Sequence, residues 1–231
     1  MNSQDFIHFK TANKNFFRWE HVVELSKKTV TLSDKFQQVF PQLTRLLSLA
    51  NARNIVIDHE LHTLYTWENT NAKPCGWLCK NEEFPLDFPL IPSHQMLLSE
   101  MGGIRESYGS NEKDLALCQH FLFIGSRCEI GLGNRTKFYE ELCQAQGYQP
   151  LKTGGMVTFV LEASGNRTLY DIKSEKVLLY ASDHNYDYVT PVPHQPEYTF
   201  YTIHGVDTFT DYVELLARQW LEFVKMDRHS Q

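Results

Sequence analysis

The stretch that decides the fold runs Met156-Val-Thr-Phe-Val-Leu161, Ser164-Gly165-Asn166, Thr168-Leu-Tyr-Asp-Ile172, Lys173-Ser174-Glu175, Lys176-Val-Leu-Leu-Tyr180. Three runs rich in β-branched and aromatic residues alternate with two short clusters of turn residues. Joints that short predict consecutive antiparallel strands, because a parallel return needs a crossover of a dozen residues or more. Downstream, a polar, proline-rich loop from Asp183 to Glu197 leads to a further strand from Tyr198 to Ile203. Thr208-x-x-Asp211 then reads as a capping box, opening a helix with the apolar stripe Phe209, Tyr212, Val213, Leu216, Ala217, Trp220 and Val224.

Upstream, Leu32 to Ala50 has helical spacing through Phe36, Val39, Phe40, Leu43, Leu46 and Leu47, interrupted by Pro41, which predicts either a kink or two short helices with Pro41 in a first turn. Three short strands are expected between Asn54 and Lys80, broken at Asn69-Thr70-Asn71 and Lys73-Pro74. Pro85, Pro89 and Pro92 mark an extended crossing, after which Ser93 is expected to cap a helix through Leu97, Leu98 and Met101 that stops at Gly102-Gly103. Phe121 to Ile124 has the length of a strand. Asn134 is expected to cap a helix with the stripe Phe138, Leu142 and Ala145, ended by Gly147. The class is α+β: an antiparallel sheet with helices packed mainly on one side. Residues 1–88 are expected to form a helical and short-strand extension packed on a core of 89–231, the two making one compact unit.

Composition narrows the function. In 231 residues, 42% are hydrophobic and 22% charged, which excludes a disordered chain. Lys and Arg number 22 against 28 Asp and Glu, a net charge of −6, and no basic run exceeds Lys27-Lys28. That argues against direct contact with nucleic acid. The expected location is the cytoplasm: there is no apolar span or signal sequence, and the five scattered cysteines suit a reducing compartment.

Sites of chemistry are sparse. His59-x-x-His62 lies in a strand-and-turn segment where the two rings point apart, so no metal site is expected. Cys75 and Cys79 have the wrong spacing for a redox pair and read as structural thiols. The glycines Gly125, Gly131 and Gly133 fit no phosphate-loop spacing and read as turns. No catalytic residue and no cofactor is assigned. As a contact surface, the loop offers Asp183, Tyr186, Asp187, Tyr188 and Glu197, in which tyrosine supplies area and the acids supply charge.

Ile91-Pro92-Ser93 leading to Met101-Gly102-Gly103, the strands Val157–Leu161, Arg167–Ile172 and Lys176–Tyr180, and the helix start Asp207-Thr208-Phe209 together resemble the SUKH superfamily, the group around the fungal Smi/Knr regulators. The resemblance covers about Pro89 to Phe223, with an insertion around Asn134 to Pro150, and Met101-Gly102-Gly103 stands where the family usually has Asn-Gly. It implies an α+β fold without enzymatic activity. It also implies an immunity protein that binds and neutralises a cognate toxin, often a nuclease; a regulatory adaptor is the alternative within the family. An unrecognised metal-dependent hydrolase using His59, His62 or His184 with Asp183 is the reading outside it.

Overall fold

A computed structural model describes residues 4–13, 22–82, 88–109, 115, 119–182 and 188–225. In chain order the elements are α1 (Gln4–Ala12), β1 (Val22–Lys28), α2 (Asp34–Val39), α3 (Pro41–Ser48), β2 (Asn51–Ile57), β3 (Glu60–Glu68), β4 (Pro74–Lys80), α4 (Pro92–Glu100), β5 (Gly103–Tyr108), β6 (Gln119–Leu122), β7 (Glu129–Ile130), α5 (Thr136–Gln146), β8 (Met156–Glu162), β9 (Arg167–Asp171), β10 (Val177–Tyr180), β11 (Val189–Pro191), β12 (Phe200–Ile203) and α6 (Phe209–Phe223).

The strands form one antiparallel sheet in the order β1-β2-β3-β4-β5-β6-β8-β9-β10-β12-β11, with β7 laid beside β8. The fold is therefore α+β. Alternation along each strand separates two faces. Tyr65, Trp77, Val157 and Tyr170 point into the main core with Phe36 of α2, Leu46 of α3, Leu97 of α4 and Trp220 of α6. Leu64 and Leu78 point the other way, onto Phe6 and Phe9 of α1, and Leu169 and Leu178 meet Tyr139 and Cys143 of α5. The sheet runs across residue 88, since β4 and β5 pair from Gly76–Tyr108 to Lys80–Gly103.

Much of the local chemistry reads through directly. Pro41 sits in the first turn of α3, and the Thr208–Asp211 capping box is formed. The expected stripe of α6 is buried at every position. Asn69 makes its turn by accepting the N–H groups of Asn71 and Lys73 at 2.9 and 3.0 Å.

Other expectations are corrected. Pro92 belongs to the first turn of α4 rather than to the extended crossing; Ile91 is the N-cap, and the Ser93 hydroxyl is buried without a hydrogen bond. Proline needs no N–H partner there, so a side-chain cap is dispensable. Asn134 does not cap α5 either. A 3-10 turn at Gly133–Arg135 leads into the helix, and the Asn134 side chain accepts from Arg167 Nη2 at 3.0 Å. The buried face of α5 is Tyr139 and Cys143, while Phe138 is half exposed and Ala145 faces solvent. The strand expected over Phe121–Ile124 ends at Leu122, because Phe123 adopts φ 64°. Four strands had no sequence signal strong enough to draw them: β1, β5, β7 and β11, the last lying inside the proline-rich loop.

Candidate functional site

A polar cluster lies where β3, β4 and β5 meet, on the face opposite the main core. Glu60 and His62 share that face by their two-residue spacing, and His62 pairs across to Lys80. Arg105 joins them through a β-bulge: Glu106 opposes Leu78 and Ile104 opposes Cys79, leaving Arg105 as the extra residue. Bulges of this kind re-aim a side chain. The approach of β5 depends on Gly102, whose φ is 84° and where a Cβ would collide with the carbonyl oxygen of Lys80.

The Glu60 carboxylate stands 3.2 Å from Lys80 Nζ and 3.7 Å from Arg105 Nη1. The Lys80 hydrogen bond is the main reason that its carboxyl is held below the usual range. Arg105 Nη1 also lies 3.0 Å from His62 Nε2, and His62 Nδ1 lies 3.0 Å from the Glu60 carbonyl oxygen. His62 is completely buried, and burial first, with Arg105 beside it, pulls its pKa down.

Beside this cluster runs a groove of about 520 Å³ lined by His59, Glu60, Leu61, Lys80, Asn81, Glu82 and Ser126. His59 reaches its rim from the two-residue turn Asp58-His59, where both residues have positive φ (49° and 70°), as a type I′ hairpin requires. The far wall is pinned by Glu82, which accepts the N–H groups of Gly125 and Ser126 at 2.6 and 2.8 Å. The glycine at 125 thus serves a turn.

The buried imidazole of His94 is bonded into the fold. His94 sits between the Phe123 carbonyl (2.6 Å) and the Tyr170 hydroxyl (3.2 Å). Cys75, Cys79, Cys128 and Cys143 are buried free thiols; burial pushes Cys75 up to about 12 and Cys79 and Cys128 well above the ordinary range. Thiols so placed are poor nucleophiles. Thr190 and His204 form a hydroxyl–imidazole pair at 2.9 Å, exposed on the edge hairpin. Among the described residues no three His, Cys, Asp or Glu side chains converge in a way that could hold a metal ion. His59 and His62 are kept apart, one on a turn and one inside the protein.

Of the residues singled out from sequence, Asp183, Tyr186 and Asp187 lie outside the described residues, as does His184. Tyr188 is half-buried against the main core and its carbonyl accepts from His204 N at 2.9 Å. Glu197 is exposed in the turn between β11 and β12. With Val189 opposite Ile203 and Pro191 opposite Tyr201, these two residues fall at opposite ends of the hairpin and are not brought together. Sequence reasoning did not single out Glu60, Lys80, Glu82 and Arg105. The alternation Glu60-x-His62 was available as a signal, but the bulge that adds Arg105 has no local signature.

Scans against family models, curated proteins and solved structures found no match to this chain. Among the described residues, no helix is long and apolar enough to cross a membrane.

Proposed function

We propose that this chain is a non-enzymatic, cytoplasmic protein-binding module of the immunity type, which binds a cognate toxin and occludes its working site. The observation that carries the reading is the groove beside the Glu60–Lys80–Arg105 cluster. It presents charges of both signs from paired strands, next to Leu61, which is 45% exposed. Preorganised charge beside an apolar ledge suits recognition of another protein's surface, where complementarity sets register and association rate. The imidazoles of His62 and His94 and the thiols of Cys75, Cys79, Cys128 and Cys143, by contrast, are buried in the fold. The sequence resemblance to the SUKH superfamily adds the toxin class, and the acidic stretch from Asp183 to Glu197 would steer toward a basic nuclease.

Affinity capture from the native cell, followed by co-expression of the captured partner, tests this. The expected result is a stoichiometric basic partner whose toxicity is suppressed by this chain. Glu60→Lys, or Asp183→Asn with Asp187→Asn, should slow association several-fold at low salt and less at high salt. A partner whose activity is untouched by saturating amounts of the chain would overturn the neutralising role. Unchanged association in both variants would place the interface elsewhere.

A further inference from the structure

The sheet has two edges, and they differ. β11 spans three residues and carries Pro191, a residue that cannot donate to a further strand. β1 spans seven, pairs only with β2 among the described residues, and exposes Val23 and Leu25 at 53% and 56%. Val23 also stands in register with Val56 and Leu61, so one apolar row crosses three strands on a single face. The unpaired main chain of an edge strand is best satisfied by another strand.

We infer that two copies of this chain pair through their β1 edges, antiparallel and about a twofold axis. Head-to-tail addition through β11 is blocked by its length and its proline, whereas an antiparallel β1 pair is self-complementary. The bulge at Leu25 assigns the side chains to faces: Val23, Ser26 and Lys28 on one, Val22, Glu24 and Lys27 on the other. The register that keeps those faces matched sets Val23 against Lys28 of the second copy and Glu24 against its Lys27. Opposite charges therefore meet twice, once on each side of the axis. Glu24 already bonds Arg53 at 3.3 Å and gains a second cation. Lys28 turns its ammonium away to Thr63 Oγ1 at 3.1 Å, which leaves its aliphatic stem for Val23 of the second copy. Each copy's apolar row thus ends on the Lys28 stem of the other, and the two rows lie staggered along the same face rather than end to end. This pairing is independent of what the groove binds.

Sedimentation equilibrium over about a hundredfold range of protein concentration tests it, with hydrogen exchange as the second readout. The expected result is a concentration-dependent dimer whose β1 amides gain protection as it forms. Lys27→Glu and Val23→Lys alter exposed side chains, so each should leave the fold intact and raise the dimer dissociation constant about tenfold or more. A monomer at every concentration would show that the bulge and the lysines guard this edge, and would overturn the proposal. So would a dimer that both variants leave unchanged, or one whose β1 amides gain no protection.

Discussion

Arg105 donates from Nη1 to Nε2 of His62 at 3.0 Å, and that contact fixes the state of the imidazole. A guanidinium has only donors, so Nε2 must accept; the Glu60 carbonyl has only lone pairs, so Nδ1 must carry the proton. Protonating His62 would turn an N–H toward a cation inside the protein. The neutral Nδ1–H tautomer is therefore expected near pH 7, and long-range ¹⁵N–¹H correlation of the ring reads it directly. Arg105→Ala should raise the fraction of the other tautomer. A wild-type spectrum dominated by Nε2–H would contradict the geometry of the cluster.

Trp220 lies at the centre of the main core, with ring centroids 5.5 Å from Trp67 and 4.9 Å from Trp77. Two of these indoles come from paired strands and the third from α6, so the trio locks the helix onto the sheet. Trp220→Ala should cost about 3–5 kcal/mol, as expected for a large-to-small change in a packed core. The denaturation midpoint in urea measures it, with the slope of the transition unchanged.

His94 gives the protein an acid limit. It is wholly buried, and burial pulls its pKa from 6.5 down to about 4, even though the bond to Phe123 works the other way. Between those values the unfolded chain binds a proton that the folded chain refuses. Stability supplied by the neutral ring is thus complete above pH 6.5 and is lost as the pH falls toward 4, by about 3 kcal/mol in all. Urea midpoints measured from pH 7 to pH 4 should fall more steeply in the wild type than in His94→Gln. Equal slopes would mean that His94 does not titrate in this window.

Glu214 of α6 supplies the cap that α3 lacks. Phe40 precedes α3 without a side-chain cap, and the Glu214 carboxylate accepts the N–H groups of Gln42 and Leu43 at 2.9 and 3.1 Å. Glu214→Ala should cost about 1 kcal/mol, in the range of a lost N-cap. Hydrogen exchange should show the loss as faster opening of the first turn of α3. Uniform exchange across both helices would argue that the contact is incidental.

The second α-helix after the proline crossing shows where sequence reading stops. On α5, the stripes Phe138–Leu142–Ala145 and Tyr139–Cys143 both have helical spacing, and periodicity cannot rank them. Burial chose the second, because Tyr139 and Cys143 face Leu169, Leu178 and Phe200 across the sheet. Tyr139 is tied in further: its hydroxyl donates to Gln195 and accepts from Leu151 N at 2.7 Å. None of these partners is near it in the chain. The polar cluster behaves the same way, since Arg105 reaches His62 only through a bulge opposite β4.

What the amino-acid order determined by itself was local in range: the strands β8 to β10 with their short turns, the interruption of the helical pattern at Pro41, the capping box at Thr208 and Asp211, and the stripe of α6. Each depends on dihedral preference, turn chemistry or side-chain period within a few residues, so neighbours in sequence suffice. The tertiary structure alone decided which face of α5 is buried, how Glu214 caps α3, and that Glu60, His62, Lys80 and Arg105 meet. Those outcomes depend on which surface covers which, and burial acts on groups brought together across the chain, whatever their separation along it.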